Sequence, residues 1–155
     1  MFARLRSLFG APTPAGPPQM VKRFSSADSA LSGPPLQADG EGWQANLFDG
    51  QTLHFFEFVP PPLEQCLITY RAKIKAEGLS GKAYLELWCR LPGRGEFFSR
   101  GLQQAVTGTC DWASYEVPFY LQRGQCPDLL KLNLVAEGAG RLWIKNIELS
   151  QTPLL

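Results

Sequence analysis

The chain is predicted to be all-β, an antiparallel two-sheet β-sandwich of about eight strands, and three observations carry that reading. Apolar and polar residues alternate with period two through most of the sequence after residue 37. Turn signals such as Asp49-Gly50, Pro60-Pro61-Pro62, Pro92-Gly93 and Glu137-Gly138-Ala139-Gly140 punctuate it at short intervals. No stretch of the domain carries a helical period. At 155 residues, 45% hydrophobic and 19% charged, the chain has room for one stable domain and a tail.

Residues 1–36 are rich in Pro, Gly and Ser and are expected to be a disordered basic tail, with the domain at 37–155. Met1–Phe9 has the pattern of a short basic amphipathic turn, with Phe2, Leu5 and Phe9 on one side. The first 27 residues hold four basic residues and no acid, and the remainder is net −3. With an overall charge of +1, no global field favours nucleic acid. No apolar run approaches the roughly 18 residues of a transmembrane helix.

In order, Trp43–Phe48 and Leu53–Val59 read as short strands closed by Asp49-Gly50 and the proline run. Cys66–Ala76 alternates most clearly: Cys66, Ile68, Tyr70, Ala72, Ile74 and Ala76 face the core, and Thr69, Arg71, Lys73 and Lys75 face out. Glu77-Gly78-Leu79-Ser80-Gly81 is expected to be a turn. Glu96–Val106 reads as one irregular strand bulged at Gly101, and Thr107–Asp111 as a turn into Trp112–Leu121. Leu129–Glu137 and Arg141–Leu149 complete the set. The apolar phase shift between Ile144 and Ile147 predicts a bulge near Lys145-Asn146.

The functional signal sits in Gly81–Pro92. Ala83, Leu85, Leu87, Cys89 and Leu91 form one apolar face, while Lys82, Tyr84, Glu86, Trp88 and Arg90 form the other. Sugar recognition needs a flat aromatic surface for the C–H side of a ring and planar polar groups for its hydroxyls. Tyr84, Glu86, Trp88 and Arg90 supply both, Lys131 and Asn133 can join them from a neighbouring strand, and the Arg94–Arg100 loop can form a rim. The competing reading packs Tyr84 and Trp88 under a loop and leaves no cleft.

Three blocks of sequence carry a family likeness. They are Leu85-Glu-Leu-Trp88, then Thr107-Gly-Thr-Cys-Asp-Trp-Ala-Ser-Tyr-Glu-Val-Pro-Phe119, then Leu130 to Leu149 with its Gly140-Arg-Leu-Trp-Ile-Lys-Asn-Ile-Glu-Leu ending. Together they resemble the galactose-binding-like β-jelly rolls, a group that includes many carbohydrate-binding modules. The resemblance covers about residues 37–149. It implies a non-catalytic binding module whose ligand is a carbohydrate or a similar polar small molecule. Many members hold a structural calcium ion through an acid of the last strand. The matching positions here are Lys145-Asn146, so no metal is expected, and Asp39 and Glu148 read as solvated surface acids.

No catalytic motif is present: there is no nucleophile elbow, phosphate loop or dinucleotide fingerprint. The single histidine, His54, lies beside Phe55 and Phe56 and reads as packed. No cofactor is called for. The alternative function is an intracellular protein-interaction or scaffold module using the same face and Phe97-Phe98. Cys66, Cys89, Cys110 and Cys126 lack metal-ligand spacing and read as free thiols of a reducing compartment. A cytoplasmic location follows, with a mitochondrial or membrane-surface one as the alternative through the basic N-terminus.

Overall fold

The computed structural model describes residues 12–155, and the basic Met1–Phe9 segment lies outside them. Among the described residues there are nine strands: β1 (Gln19–Phe24), β2 (Leu36–Asp39), β3 (Gly42–Leu47), β4 (Gln51–Phe58), β5 (Cys66–Leu91), β6 (Gly95–Arg100), β7 (Val106–Leu121), β8 (Leu129–Ala136) and β9 (Gly140–Pro153). All pairings are antiparallel, and the ladder curls over on itself into two layers. This is the expected all-β sandwich.

The 26 residues of β5 belong to both layers. Its first half lies between β7 and β9, and its second half between β6 and β8. The first sheet therefore runs β2-β3-β9-β5-β7, with β1 also on β9, and the second runs β4-β8-β5-β6. Core-facing residues are even-numbered from Cys66 to Ala76 and odd-numbered from Ala83 to Leu91. The two register shifts between Ala76 and Lys82, with Gly78 at φ +62°, absorb that change of parity. The expected turn at Glu77–Gly81 is thus a bend inside a strand, because β7 stays paired on both sides of it and within it, through Ala76↔Cys110, Leu79↔Gly108 and Lys82↔Thr107.

Three other expectations are corrected. Gly101 does not bulge a single strand: β6 ends at Arg100, a 3-10 turn covers Leu102–Gln104, and β7 begins at Val106 in the other sheet. The expected turn Thr107–Asp111 lies within β7. Residues 12–36 are not a free tail either. β1 pairs with the last strand, Pro14 bridges to Leu154, and the amides of Leu31 and Ser32 donate to the carbonyls of Phe55 and His54 at 3.0 and 2.9 Å. Phe24 enters the core, stacked on Phe56 at 4.2 Å between centroids and edge-on to Phe58. The bulge near Lys145-Asn146 is found: Asn146 has φ +54°, opposite a register shift between Arg71 and Lys73.

The space between the layers is filled by Leu, Ile and Phe side chains, with Tyr70 at its centre donating its hydroxyl to the Asn133 carbonyl at 3.3 Å. Burial pushes the Cys66 and Cys89 thiols up, to about 11 and about 12 respectively. Truncating Phe24 tests the place of the N-terminal strand. Phe24→Ala is expected to cost about 3–5 kcal/mol in urea melts, as large aromatic truncations in a core do. Met20→Ala, on the same strand but exposed, is expected to stay within about 0.5 kcal/mol. A neutral Phe24→Ala would mean that β1 adds nothing to the fold.

Candidate functional site

Outward-facing residues of the second sheet line up in two rows across β4, β8, β5 and β6. The pairings His54↔Asn133, Asn133↔Glu86 and Glu86↔Arg100 make one row. Glu57↔Lys131, Lys131↔Trp88 and Trp88↔Phe98 make the other. The register shift between His54 and Phe56 keeps both His54 and Glu57 on the outer face, because it inserts one residue between them. The rows border an open groove of about 440 Å³, lined by all of these residues except Phe98, which stands at its margin beside Trp88, and by Thr52 and Glu96.

Glu86 organises the groove. It is only 5% exposed although it carries a carboxylate. Its Oε1 accepts from Asn133 Nδ2 at 3.0 Å and from Trp88 Nε1 at 2.9 Å, and its Oε2 accepts from Arg100 Nε at 2.8 Å. Burial alone would raise the Glu86 carboxyl. Hydrogen bonds from Asn133, Arg100 and Trp88, with the Arg100 charge, outweigh it and hold the group below its usual range. The carboxylate stays ionised and fixes three neighbours at once.

The network extends to His54. Asn133 spends its amide nitrogen on Glu86, so its Oδ1 faces His54 Nδ1 at 3.0 Å. With that oxygen as the acceptor Nδ1 is the donor, and Nε2 is left without a partner among the described residues. Arg100 also stacks on Phe98, its Cζ 4.2 Å from the ring centroid, and Phe98 leans on Trp88 at 5.0 Å. Lys131 Nζ reaches across β5 to Glu96 at 2.8 Å. Among the described residues, Glu57 makes no side-chain hydrogen bond or ion pair. The groove thus offers one half-buried indole and a rigid set of acceptors and donors.

Of the residues singled out in the sequence, Glu86, Trp88, Lys131 and Asn133 line this groove together. Tyr84 and Arg90 do not. Tyr84 is buried one pair further along β5, beside Val135. Arg90 is held away by Asp128, with contacts of 2.8 and 3.3 Å. His54, read as packed, is exposed in the groove wall instead, because Phe55 takes the inward position. Sequence reasoning also missed Thr52 and Glu57, and it placed Glu96 and Arg100 only in a rim loop. Asp39 and Glu148 are not brought together: Asp39 lies at the β2–β3 turn, and Glu148 faces Arg23 at 3.4 Å. Among the described residues no group of three His, Cys, Asp or Glu side chains is placed to hold a metal ion.

No protein-family model matches the sequence, and no curated protein matches it. Solved structures do. The chain is similar to the CBM22-1 and GH10 modules of xylanase Xyn10B from Clostridium thermocellum, complexed with xylohexaose, at 8% identity and a TM-score of 0.54. That match covers 85% of this chain but only 28% of the xylanase. A family 29 carbohydrate-binding module matches at 14% identity and a TM-score of 0.56, over 89% of this chain and 91% of that one. The Stig cyclase Fisc from Fischerella sp. TAU matches at 15% identity and a TM-score of 0.52, over 91% and 80%. The chain therefore has the β-jelly-roll fold of carbohydrate-binding modules, a fold that one cyclase also uses.

Two measurements follow from the geometry. Leu87 is fully buried, so Leu87→Ala is expected to cost about 2–5 kcal/mol. Trp88→Ala, on the groove side, should cost clearly less in the same urea melts, and equal large losses would show that both faces of β5 are core. For Glu86, the folded value lies below the unfolded one, so its stabilising contribution is whole above about pH 4.3 and is lost as pH falls through the folded value. Wild type should therefore lose stability relative to Glu86→Gln between neutral and acid pH. A difference that does not change with pH would contradict the clamp.

Proposed function

We propose that the protein is a non-catalytic binding module that takes a neutral sugar chain along the outer groove of its second sheet. The single observation that carries this is the Glu86 clamp: a buried carboxylate that orients an indole, an amide and a guanidinium toward one open channel. Pyranose rings present C–H faces that pack on Trp88 and Phe98. Their hydroxyls both donate and accept, which matches a wall of Glu57, His54 Nε2, Asn133 and the free guanidinium nitrogens of Arg100. Its cations Arg100 and Lys131 are already paired with Glu86 and Glu96, so the groove has little to gain from an anionic ligand.

Glu86 is also not poised as a general acid. A general acid needs a raised value so that it holds a proton near neutral pH, and Glu86 is shifted the other way. Xylohexaose, with which the clostridial CBM22-1 and GH10 modules are complexed, is the natural first ligand class to try, with the cellohexaose of a family 29 module complex beside it. Affinity electrophoresis and calorimetry should find binding to at least one of these β-linked hexaoses, weakened about ten-fold or more by Trp88→Ala. No binding to either, together with capture of a defined protein partner that Trp88→Ala abolishes, would favour the interaction-module reading instead.

A further inference from the structure

We propose that the outer face of the first sheet is a second binding site, for a sugar chain that carries uronate carboxylates. Three lysines meet there. Lys73 lies directly opposite Lys145 in the β5–β9 ladder, and Lys75 lies opposite Trp143. Like charges facing each other across a sheet repel. Among the described residues none of the three has a carboxylate within ion-pairing distance. Each of two ammonium groups sits over an indole: Lys145 Nζ is 4.2 Å from the Trp112 ring and Lys75 Nζ is 4.9 Å from the Trp143 ring. Arg141 flanks the same Trp143 ring at 5.6 Å.

Beside the lysines is a depression of about 230 Å³ between Trp112, Trp143 and the β2–β3 hairpin turn. Its hairpin wall is fixed, since a Cβ on Gly42 would lie 2.2 Å from the Ile144 carbonyl oxygen. Asp39 and Glu41 line it, and among the described residues neither side chain has a hydrogen-bond or ionic partner. Lysines alone would suit any polyanion. The two carboxylates decide between them: a nucleic-acid backbone would bring phosphates against Asp39 and Glu41, whereas sugar hydroxyls donate to them. A uronate carboxylate pairs with the ammonium groups that stand over the indoles, while the hydroxyls of its ring reach the two acids.

This site is independent of the groove on the second sheet, and its test separates the two. Wild-type protein and the Lys73→Gln/Lys75→Gln double variant are titrated by calorimetry with hexagalacturonate, with the neutral hexaoses and with an oligothymidylate of equal charge. Thermal melts establish that the variant is folded. Hexagalacturonate should bind wild type, more weakly as sodium chloride is raised, and about ten-fold more weakly to the variant, while any neutral-hexaose binding is unchanged. Failure of the neutral hexaoses alone would remove the groove reading and leave this one standing. The proposal is overturned by no hexagalacturonate binding, by binding that the double variant leaves intact, or by equal or tighter oligothymidylate binding through the same lysines.

Discussion

One strand constrains everything else in this fold. β5 is continuous across both sheets, so each of its halves can present only one side to the core and must present the other to solvent. The change of parity near Gly78 turns the strand so that Ile68, Tyr70 and Ile74 enter the same buried core as Leu85, Leu87 and Cys89 of its own second half. The same turn sends Lys73 and Lys75 out of one sheet and Glu86 and Trp88 out of the other. Two chemically different surfaces are the outcome, one on each side of a single core.

Charge is organised differently on those surfaces. On the second sheet a nearly buried carboxylate would be costly if it stood alone, and it is compensated by three donors whose own positions it then fixes. The cations of that groove are consumed inside the structure. On the first sheet two of the three lysines sit over indoles but none has an acidic partner within the described residues, and the acids at the β2–β3 turn are likewise unspent. A paired network suits an uncharged ligand with many hydroxyls, and an unpaired one suits an anion.

The alternation of β5 was legible in the sequence, including the switch from even to odd core positions. Its meaning was not, since Gly78, Ser80 and Gly81 read as a turn until β7 is seen to run beside both halves. The four groove residues on β5 and β8 could be read because they share one face within adjacent strands. His54, Glu57 and Arg100 could not, because they reach Glu86 and its neighbours through the pairings of β4 with β8 and of β5 with β6, and through a bulge that sequence does not mark. Arg90 fell outside the groove because of Asp128, a long-range ion pair. β1 was hidden by its Pro- and Ser-rich surroundings: of its six residues only Phe24 is fully buried, and its pairing with β9 comes from the far end of the chain.

The most direct test of the groove is the side-chain resonance of Trp88. Its indole N–H is bound to Glu86 Oε1 and lies on the groove wall, so an NMR titration reads the clamp and the ligand in one signal. With xylohexaose or cellohexaose, the largest shifts should fall on the Trp88 indole N–H and the Asn133 side-chain amide, with Trp112 and Trp143 unmoved. Saturating shifts confined to Trp112 and Trp143, or no movement of Trp88 at millimolar ligand, would contradict the account.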